Sequence, residues 1–190
     1  MIRNLLVTLT VIFMIFGVTA MAKSKSAKAA DNQLENTLYM DLKYGRVVIE
    51  MRHDLAPKHV KRIKELVRQG FYDGVVFHRV IDGFMAQTGD PTGTGTGGSG
   101  KKLKAEFSKE PHLRGAVSMA RAMDVNSADS QFFICLATAN HLDGQYTYWG
   151  RVTKGMEYVD MIKKGDQYNN GMVTDPDKII KMQVAADVKE

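Results

Sequence analysis

The stretch FHRVIDGFMAQTGD, residues 77–90, sets large apolar side chains beside one arginine, Arg79, and one glutamine. A second stretch, SMARAMDVNSADSQFFI, covers residues 118–134 and combines a glutamine with two phenylalanines. Neither stretch contains a nucleophile paired with a base, or a cluster of metal ligands. These residue types favour a pocket that binds an apolar group and donates a hydrogen bond to one lone pair. They do not suit the cleavage of a covalent bond.

Around these stretches, short apolar runs separated by glycine predict a mainly β fold. Residues 38–52 predict two strands joined at residues 44–45, because apolar residues alternate on both sides of that turn. Pro57 predicts the start of a helix that Gly70 ends, and a second short helix is predicted around residues 156–162. Many short strands with few helices favour a closed antiparallel barrel, although the pattern alone is also compatible with a sandwich. The other predicted strands cover residues 75–80, 84–88, 116–119, 131–137, 146–152 and 179–184.

The N-terminus has the three-part pattern of a secretory signal peptide over residues 1–22. One arginine precedes an apolar run over residues 5–18, which is shorter than the roughly 20 residues that a membrane span requires. Small residues follow, and we expect cleavage after Ala22, with cleavage after Ala20 as the second choice. An uncleaved anchor is the alternative, because residues 13–16 are all large and apolar. The predicted location is the periplasm of a Gram-negative bacterium.

Residues 23–34 are rich in lysine, serine and alanine without an apolar period, and predict a flexible linker before a single domain over residues 35–190. The net charge of +5 is small, and the densest basic patch, on the helix predicted to begin at Pro57, has no aromatic residue beside it. This distribution argues against nucleic-acid binding. The single cysteine, Cys135, lies in an apolar run and predicts a buried thiol without an internal disulfide. We expect a monomer.

The glycine loop, residues 91–101, carries a G-x-G-x-x-G pattern but does not predict nucleotide binding. Asp90 and Pro91 stand where a dinucleotide site needs a strand, and Lys102 stands where a phosphate-binding loop needs serine or threonine. We therefore expect a flexible loop beside the pocket. The five histidines show no metal-binding spacing. We expect no cofactor and no metal.

Several motifs in family order resemble the cyclophilins, the peptidyl-prolyl cis-trans isomerases inhibited by cyclosporin. They are FHRVIDGFMAQTGD, GTGTGGSG, GAVSMAR, SQFFI and LDGQYTYWGRV, and the resemblance covers residues 37–184. It implies a closed eight-stranded antiparallel β-barrel with an α-helix capping each open end. It also implies isomerisation of Xaa-Pro bonds in proline-containing unfolded or nascent exported polypeptides. A non-catalytic module that holds such segments, as a chaperone or scaffold, is the alternative on the same fold.

The family register also assigns candidate site residues. Rotation about an Xaa-Pro bond breaks amide resonance, with a barrier of about 18 to 20 kcal/mol, and returns a lone pair to the prolyl nitrogen. Arg79 is the candidate catalytic donor to that nitrogen, because arginine stays charged and presents several N–H groups in one plane. The candidate substrate-binding residues are Phe84, Met85, Gln87, Ala120, Arg121, Gln131, Phe133, His141, Leu142 and Tyr146.

The chain departs from well-known cyclophilins at three of these positions. His141, Arg121 and Tyr146 stand where those proteins carry tryptophan, asparagine and histidine. The candidate arginine and the apolar floor are kept, so we still expect isomerase activity. His141 lacks the apolar surface and indole donor of tryptophan, which predicts weak inhibition by cyclosporin. Strand alternation sends Phe132 to the opposite face from Phe133 and predicts that it belongs to the core.

Overall fold

The computed structural model describes residues 29–188. Within this range, none of the helices has the length and apolarity that a membrane span requires. The strands are β1 (Thr37–Leu42), β2 (Gly45–Met51), β3 (Arg79–Ile81), β4 (Met85–Thr88), β5 (Ala116–Met119), β6 (Phe132–Cys135), β7 (Tyr148–Lys154) and β8 (Lys181–Val184). The helices of the same domain are α1 (Pro57–Arg68) and α2 (Met156–Asp160), and short 3₁₀ turns cover Asn140–Leu142, Gln167–Asn169 and Ala185–Asp187.

The structure describes the segment before the domain from residue 29 onward. Residues 29–35 are helical and belong to a unit that ends at Glu35, while the domain begins at Asn36. Alanine, glutamine, leucine and glutamate favour a helix in this segment. The flexible linker over residues 23–34 stays a prediction. The predicted signal peptide and the first part of the linker lie outside the described residues.

The eight strands form one antiparallel sheet in the order β3-β4-β6-β5-β7-β2-β1-β8. The β1–β2 hairpin turns at residues 43–44, one residue before the predicted break at 44–45, and Leu42 pairs with Gly45. The sheet therefore confirms a mainly β fold with eight antiparallel strands, curled into a half-barrel. The prediction of a closed barrel is wrong, because β3 and β8 are the two ends of the sheet and do not pair with each other.

Backbone hydrogen bonds at the outer edge of β3 explain why the sheet stays open. The backbone N of Val80 donates to the carbonyl O of Gly171 at 2.7 Å. Residues 165–173, here called the edge segment, thus occupy the edge that β8 would need for closure. The segments that precede the two end strands are in contact, because Val76, before β3, and Lys178, before β8, form an isolated β-bridge.

Alternating residues give the sheet two apolar faces. Phe132 and Ile134 in β6 belong to the main core. Met85, Phe133 and Cys135 belong to a smaller cluster on the opposite face. This arrangement confirms that Phe132 is a core residue and that Cys135 is a buried free thiol. Burial raises the pKa of Cys135 to about 12, so the thiol stays protonated.

Helix α1 begins at Pro57, as predicted, and a distant carboxylate caps its first turn. Glu106 accepts hydrogen bonds from the backbone N of Lys58 at 3.0 Å and of His59 at 3.1 Å. The same carboxylate lies 2.8 Å from Nδ1 of His59. Ala56 has no side chain that could cap the helix, so Glu106 takes that role. The contact fixes the chain that follows the glycine loop against α1.

Candidate active site

Three neighbouring strands bring predicted site residues into one row, and a fourth strand extends the row. Arg79 in β3 pairs with Gln87 in β4, and Gln87 pairs with Phe133 in β6. Phe133 in turn pairs with Ser118 in β5. Residues directly opposite each other in antiparallel strands point to the same face of the sheet. The row therefore lies on the face that carries the smaller apolar cluster.

A pocket of about 250 Å³ lies over this row. Its floor is apolar and closely packed, because Met85, Phe133 and Leu142 are each at most 5% exposed. Among residues 29–188, no group of His, Cys, Asp and Glu side chains is arranged to hold a metal ion. Every residue predicted for the site except Gln131 lines the pocket. The lining residues are Arg79, Phe84, Met85, Gln87, Ala120, Arg121, Phe133, His141, Leu142 and Tyr146.

A larger cavity of about 460 Å³ adjoins the pocket. Gln87, Ala120 and Arg121 line both spaces, whereas Gln131 lines only the larger one. Residues 95–98 of the glycine loop form one of its walls. The two spaces together form a groove that runs from the apolar pocket to the glycine loop.

The guanidinium of Arg79 is held by neutral acceptors. Its Nε donates to the backbone O of Asn170 at 3.0 Å, and its Nη2 donates to Oδ1 of the same residue at 2.9 Å. Its Nη1 donates to Oε1 of Gln87 at 3.1 Å and lies 4.0 Å from Sδ of Met85. Within the described chain, no carboxylate forms an ion pair with Arg79. Burial lowers the pKa of Arg79, yet arginine stays charged at any working pH, so this charge is not neutralised.

A chain of amide hydrogen bonds extends from Arg79 to the glycine loop. Nε2 of Gln87 donates to Oε1 of Gln131 at 2.9 Å. Nε2 of Gln131 donates to the carbonyl O of Gly95 at 3.0 Å and of Gly97 at 2.8 Å. Because Oε1 of Gln87 accepts from Arg79, both glutamine amides have a fixed orientation. The glycine loop therefore helps to determine where the guanidinium lies.

The glycine loop is anchored at both ends, which corrects the prediction of a flexible loop. The buried carboxylate of Asp90 accepts hydrogen bonds from the backbone N of Thr92 at 2.8 Å, of Gly95 at 2.6 Å and of Gly97 at 3.0 Å. It also accepts from two threonine hydroxyls. Asp129 accepts from three consecutive backbone N–H groups at the other end of the loop. The loop has no regular secondary structure, and hydrogen bonds to these two carboxylates hold its backbone instead.

The three positions that depart from well-known cyclophilins lie in the pocket walls. The ring of His141 lies over that of Phe84, with centroids 5.4 Å apart. The ring of Tyr146 meets Phe133 edge to face, with centroids 5.7 Å apart. The guanidinium of Arg121 lies 4.6 Å from the centre of the Tyr146 ring. These side chains extend the walls that the floor residues begin.

A buried set of hydrogen bonds holds the 3₁₀ turn that carries Leu142. Nδ1 of His112 lies 2.9 Å from Oδ1 of Asp143, and its Nε2 lies 2.9 Å from Oγ of Ser118. Burial lowers the pKa of His112, so at neutral pH the neutral ring donates to Asp143 and accepts from the Ser118 hydroxyl. The turn is thereby tied to the strand row beneath the pocket.

Reasoning from the sequence did not identify Asn170, Asp90 or Asp129, although each organises the groove. Asp90 precedes Pro-Thr-Gly, and an aspartate at the start of such a turn commonly accepts backbone hydrogen bonds from residues just after it. Asn170 precedes Gly171, a pair that is typical of left-handed turns. These signals indicate turns, but they do not indicate which distant side chains the turns contact.

Comparisons with known proteins identify the family. The sequence model of the family described as "Cyclophilin type peptidyl-prolyl cis-trans isomerase/CLD" matches residues 37–184. A probable peptidyl-prolyl cis-trans isomerase from Brucella suis is 54% identical over 177 residues, which cover 87% of this chain and 89% of the relative.

Two solved structures share the fold. Cyclophilin AquaCyp293 from Hirschia baltica superposes with a TM-score of 0.73 at 27% identity, covering 82% of this chain and 76% of that one. A cyclophilin type peptidyl-prolyl cis-trans isomerase from Cryptosporidium parvum, crystallised in the presence of the dipeptide Ala-Pro, gives a TM-score of 0.71 at 30% identity, covering 78% of this chain and 98% of that one. Because the family match spans most of the sequence, this chain belongs to the cyclophilin-type peptidyl-prolyl cis-trans isomerases.

Proposed function

We propose that this cyclophilin accelerates Xaa-Pro isomerisation during the folding of exported proteins, with Arg79 as the group that stabilises the twisted bond. One observation carries the catalytic part: the guanidinium lies at the pocket with neutral acceptors around it. A guanidinium paired with a carboxylate would attract a nitrogen lone pair far less. The apolar floor beside it offers a surface for a proline ring.

The reaction needs no covalent chemistry. An Xaa-Pro amide must lose its resonance to rotate, at a cost of about 18 to 20 kcal/mol. At the twisted geometry the prolyl nitrogen becomes pyramidal and regains a lone pair. In our proposal, an N–H group of Arg79 that neither Asn170 nor Gln87 uses donates to this nitrogen. The bond forms only in the twisted state, so it lowers the barrier without tightening the binding of either ground state.

The other pocket residues hold the substrate while the bond turns. Phe133, Met85 and Leu142 bury the proline ring and so fix one side of the rotating bond. Gln87 keeps one N–H that no acceptor among residues 29–188 uses, and this group donates to the substrate backbone. Both N–H groups of Gln131 are already donated to the glycine loop, so Gln131 contributes only as an acceptor. The residues before the proline then lie along the larger cavity.

The decisive measurement is the isomerisation rate of a short peptide with one Xaa-Pro bond, compared between the wild-type protein and Arg79→Ala. A rate that depends on this side chain separates catalysis from mere holding of proline segments, because holding does not require a cation.

Cyclosporin is expected to inhibit this protein weakly. The indole that well-known cyclophilins offer is replaced by His141, which lies over Phe84 and presents less apolar surface. The substitution His141→Trp should lower the inhibition constant by about tenfold or more, since an added apolar contact and a hydrogen bond each contribute about 1 kcal/mol. Inhibition constants from the peptide assay check this, and nanomolar inhibition of the wild type would contradict it.

Export is expected to remove residues 1–22. Mass spectrometry of the protein recovered from the periplasm of a Gram-negative host should give an N-terminus at Lys23, or at Met21 for the second cleavage site. The variant Ile12→Arg, which interrupts the apolar run, should stay unprocessed in the same host. An intact Met1 on exported wild-type protein would rule out cleavage and favour the anchor.

A further inference from the structure

The edge segment has a fixed position relative to Arg79. At one end, Gly165 N donates to the carbonyl O of Val80 in β3 at 2.9 Å. At the other end, Val173 N donates to the carbonyl O of His78, the residue before β3, at 3.1 Å. The bond from Val80 N to the carbonyl of Gly171 lies between them. The segment therefore extends the sheet beside the strand on which the candidate catalytic arginine lies.

Asn170 is the residue of this segment that reaches the guanidinium. It contributes two acceptors, its backbone O and its side-chain Oδ1, to two different nitrogens of Arg79. Two acceptors from one residue fix the plane of a guanidinium, and not only its distance. Gln87 holds the remaining nitrogen from the opposite side. The orientation of Arg79 is thus defined by one residue on each flank.

The backbone of Asn170 is itself unusual. Its φ of 51° is in the left-handed region, which costs most side chains energy but which asparagine tolerates well. Gly171 follows with a φ of 77°, and a Cβ at this position would lie 2.5 Å from Cγ1 of Ile81. Glycine therefore lets the segment approach β3 closely, and the left-handed turn directs the carbonyl and the amide of Asn170 toward the same cation.

We propose that Asn170 is a positioning residue that orients the Arg79 guanidinium toward the pocket while leaving its charge intact. A carboxylate at this position would give the same two hydrogen bonds but would cancel the charge, whereas an amide holds the cation without doing so. The inference rests on the proposed role of Arg79 as the donor to the prolyl nitrogen. It implies that the edge segment affects the rate of turnover but not the affinity for the substrate.

Two substitutions separate orientation from charge. Asn170→Gly keeps the left-handed backbone and the carbonyl acceptor but removes Oδ1, so the guanidinium loses one of its two bonds on this flank. We expect turnover to fall roughly tenfold, because small errors in the placement of a reacting group are costly. Asn170→Asp keeps both acceptors and adds a negative charge, and we expect at least as large a fall in turnover. In both variants the dissociation constant of the peptide should stay within about twofold of wild type, because the pocket floor is untouched.

The experiment uses the purified protein and a short Xaa-Pro peptide. NMR exchange measurements give the cis-trans interconversion rate of the bound peptide, a titration gives its dissociation constant, and a thermal melt gives stability. Asn169→Asp is the matched control, since it adds the same charge one residue earlier, where the side chain contacts Met172 and not Arg79. This control should keep wild-type turnover.

A fall in turnover at unchanged affinity for both Asn170 variants, with a normal Asn169→Asp control, supports the proposal. Wild-type turnover in both Asn170 variants, beside a slow Arg79→Ala, would overturn it and leave the proposed function standing. Parallel losses of turnover, affinity and thermal stability would also overturn it, because they would mean that Asn170 only supports the fold. Wild-type turnover in Arg79→Ala itself would overturn the proposed function as well.

Discussion

Replacing Arg79 with alanine is expected to lower the kcat/KM for a prolyl peptide by about 100-fold, the usual effect of removing one preorganised donor from a transition state. The physical reason is that the lone pair on the twisted prolyl nitrogen would lose its hydrogen-bond donor. The side chain is partly exposed and its partners are neutral, so the fold should survive the change. A protease-coupled assay that starts from the cis peptide measures the effect.

Two further variants act as controls for this expectation. Arg79→Lys keeps a charge but loses the planar fork of N–H groups, so it should restore only a small part of the rate. Phe133→Ala removes the floor of the pocket and should weaken peptide binding. If Arg79→Ala stays within a few-fold of wild type while Phe133→Ala abolishes binding, the pocket holds proline segments without using this arginine.

Replacing Asp90 with alanine is expected to be the most destabilising change in the groove. The buried carboxylate accepts hydrogen bonds from three backbone N–H groups and two hydroxyls, and its loss leaves several of these donors without a partner. We expect a loss of about 3 kcal/mol in the free energy of unfolding, since each bond to a charged group contributes about 1.5 to 3 kcal/mol. Isomerisation should also slow, because Gln131 would lose its fixed carbonyl partners on the loop.

Urea unfolding measures the change in stability, and Asp82→Ala is the matched control. Asp82 is exposed in the turn between β3 and β4, so its removal should change the free energy of unfolding by less than about 0.5 kcal/mol. Equal stabilities of the Asp90 and Asp82 variants would show that the carboxylate does not hold the glycine loop.

The same carboxylate makes stability depend on pH in a defined direction. Burial alone would raise the pKa of Asp90, but hydrogen bonds from Thr92, Gly97 and Gly95 outweigh it and lower the pKa to about 2. A group whose pKa is lower in the folded state stabilises the fold above its unfolded pKa of about 3.8 and loses that contribution as the pH falls toward 2. The stability difference between wild type and Asp90→Ala should therefore shrink across this window.

Much of the fold could be predicted from the sequence because its signals act locally. Alternating apolar residues defined the β1–β2 hairpin, Pro57 marked the start of α1, and the neighbours Phe132 and Phe133 had to face opposite sides of a strand. Closure of the sheet could not be predicted in the same way. It depends on backbone hydrogen bonds between Val80 and the edge segment, and backbone groups leave no pattern in the side chains.

The candidate site shows the same difference between local signals, which the sequence carries, and long-range contacts, which it does not. The family motifs fix the register of β3, β4 and β6, so the sequence is enough to assign Arg79, Gln87 and Phe133 to one pocket. Asn170 lies 91 residues after Arg79 in the chain, and neither local sequence indicates the other. From the sequence, Asp90 is recognisable only as the residue before the glycine loop, because the number of bonds that a carboxylate accepts depends on the folded path of that loop.

The hydrogen bonds among Ser118, His112 and Asp143 have the connectivity of a serine-protease catalytic triad, from hydroxyl to imidazole to carboxylate. Ser118 is 0% exposed and His112 is 1% exposed, so no ester or amide can reach the hydroxyl. A search for triads by interatomic distance alone would therefore classify this isomerase as an esterase. The three side chains that would form a catalytic triad at an accessible surface serve here only to hold the 3₁₀ turn against β5.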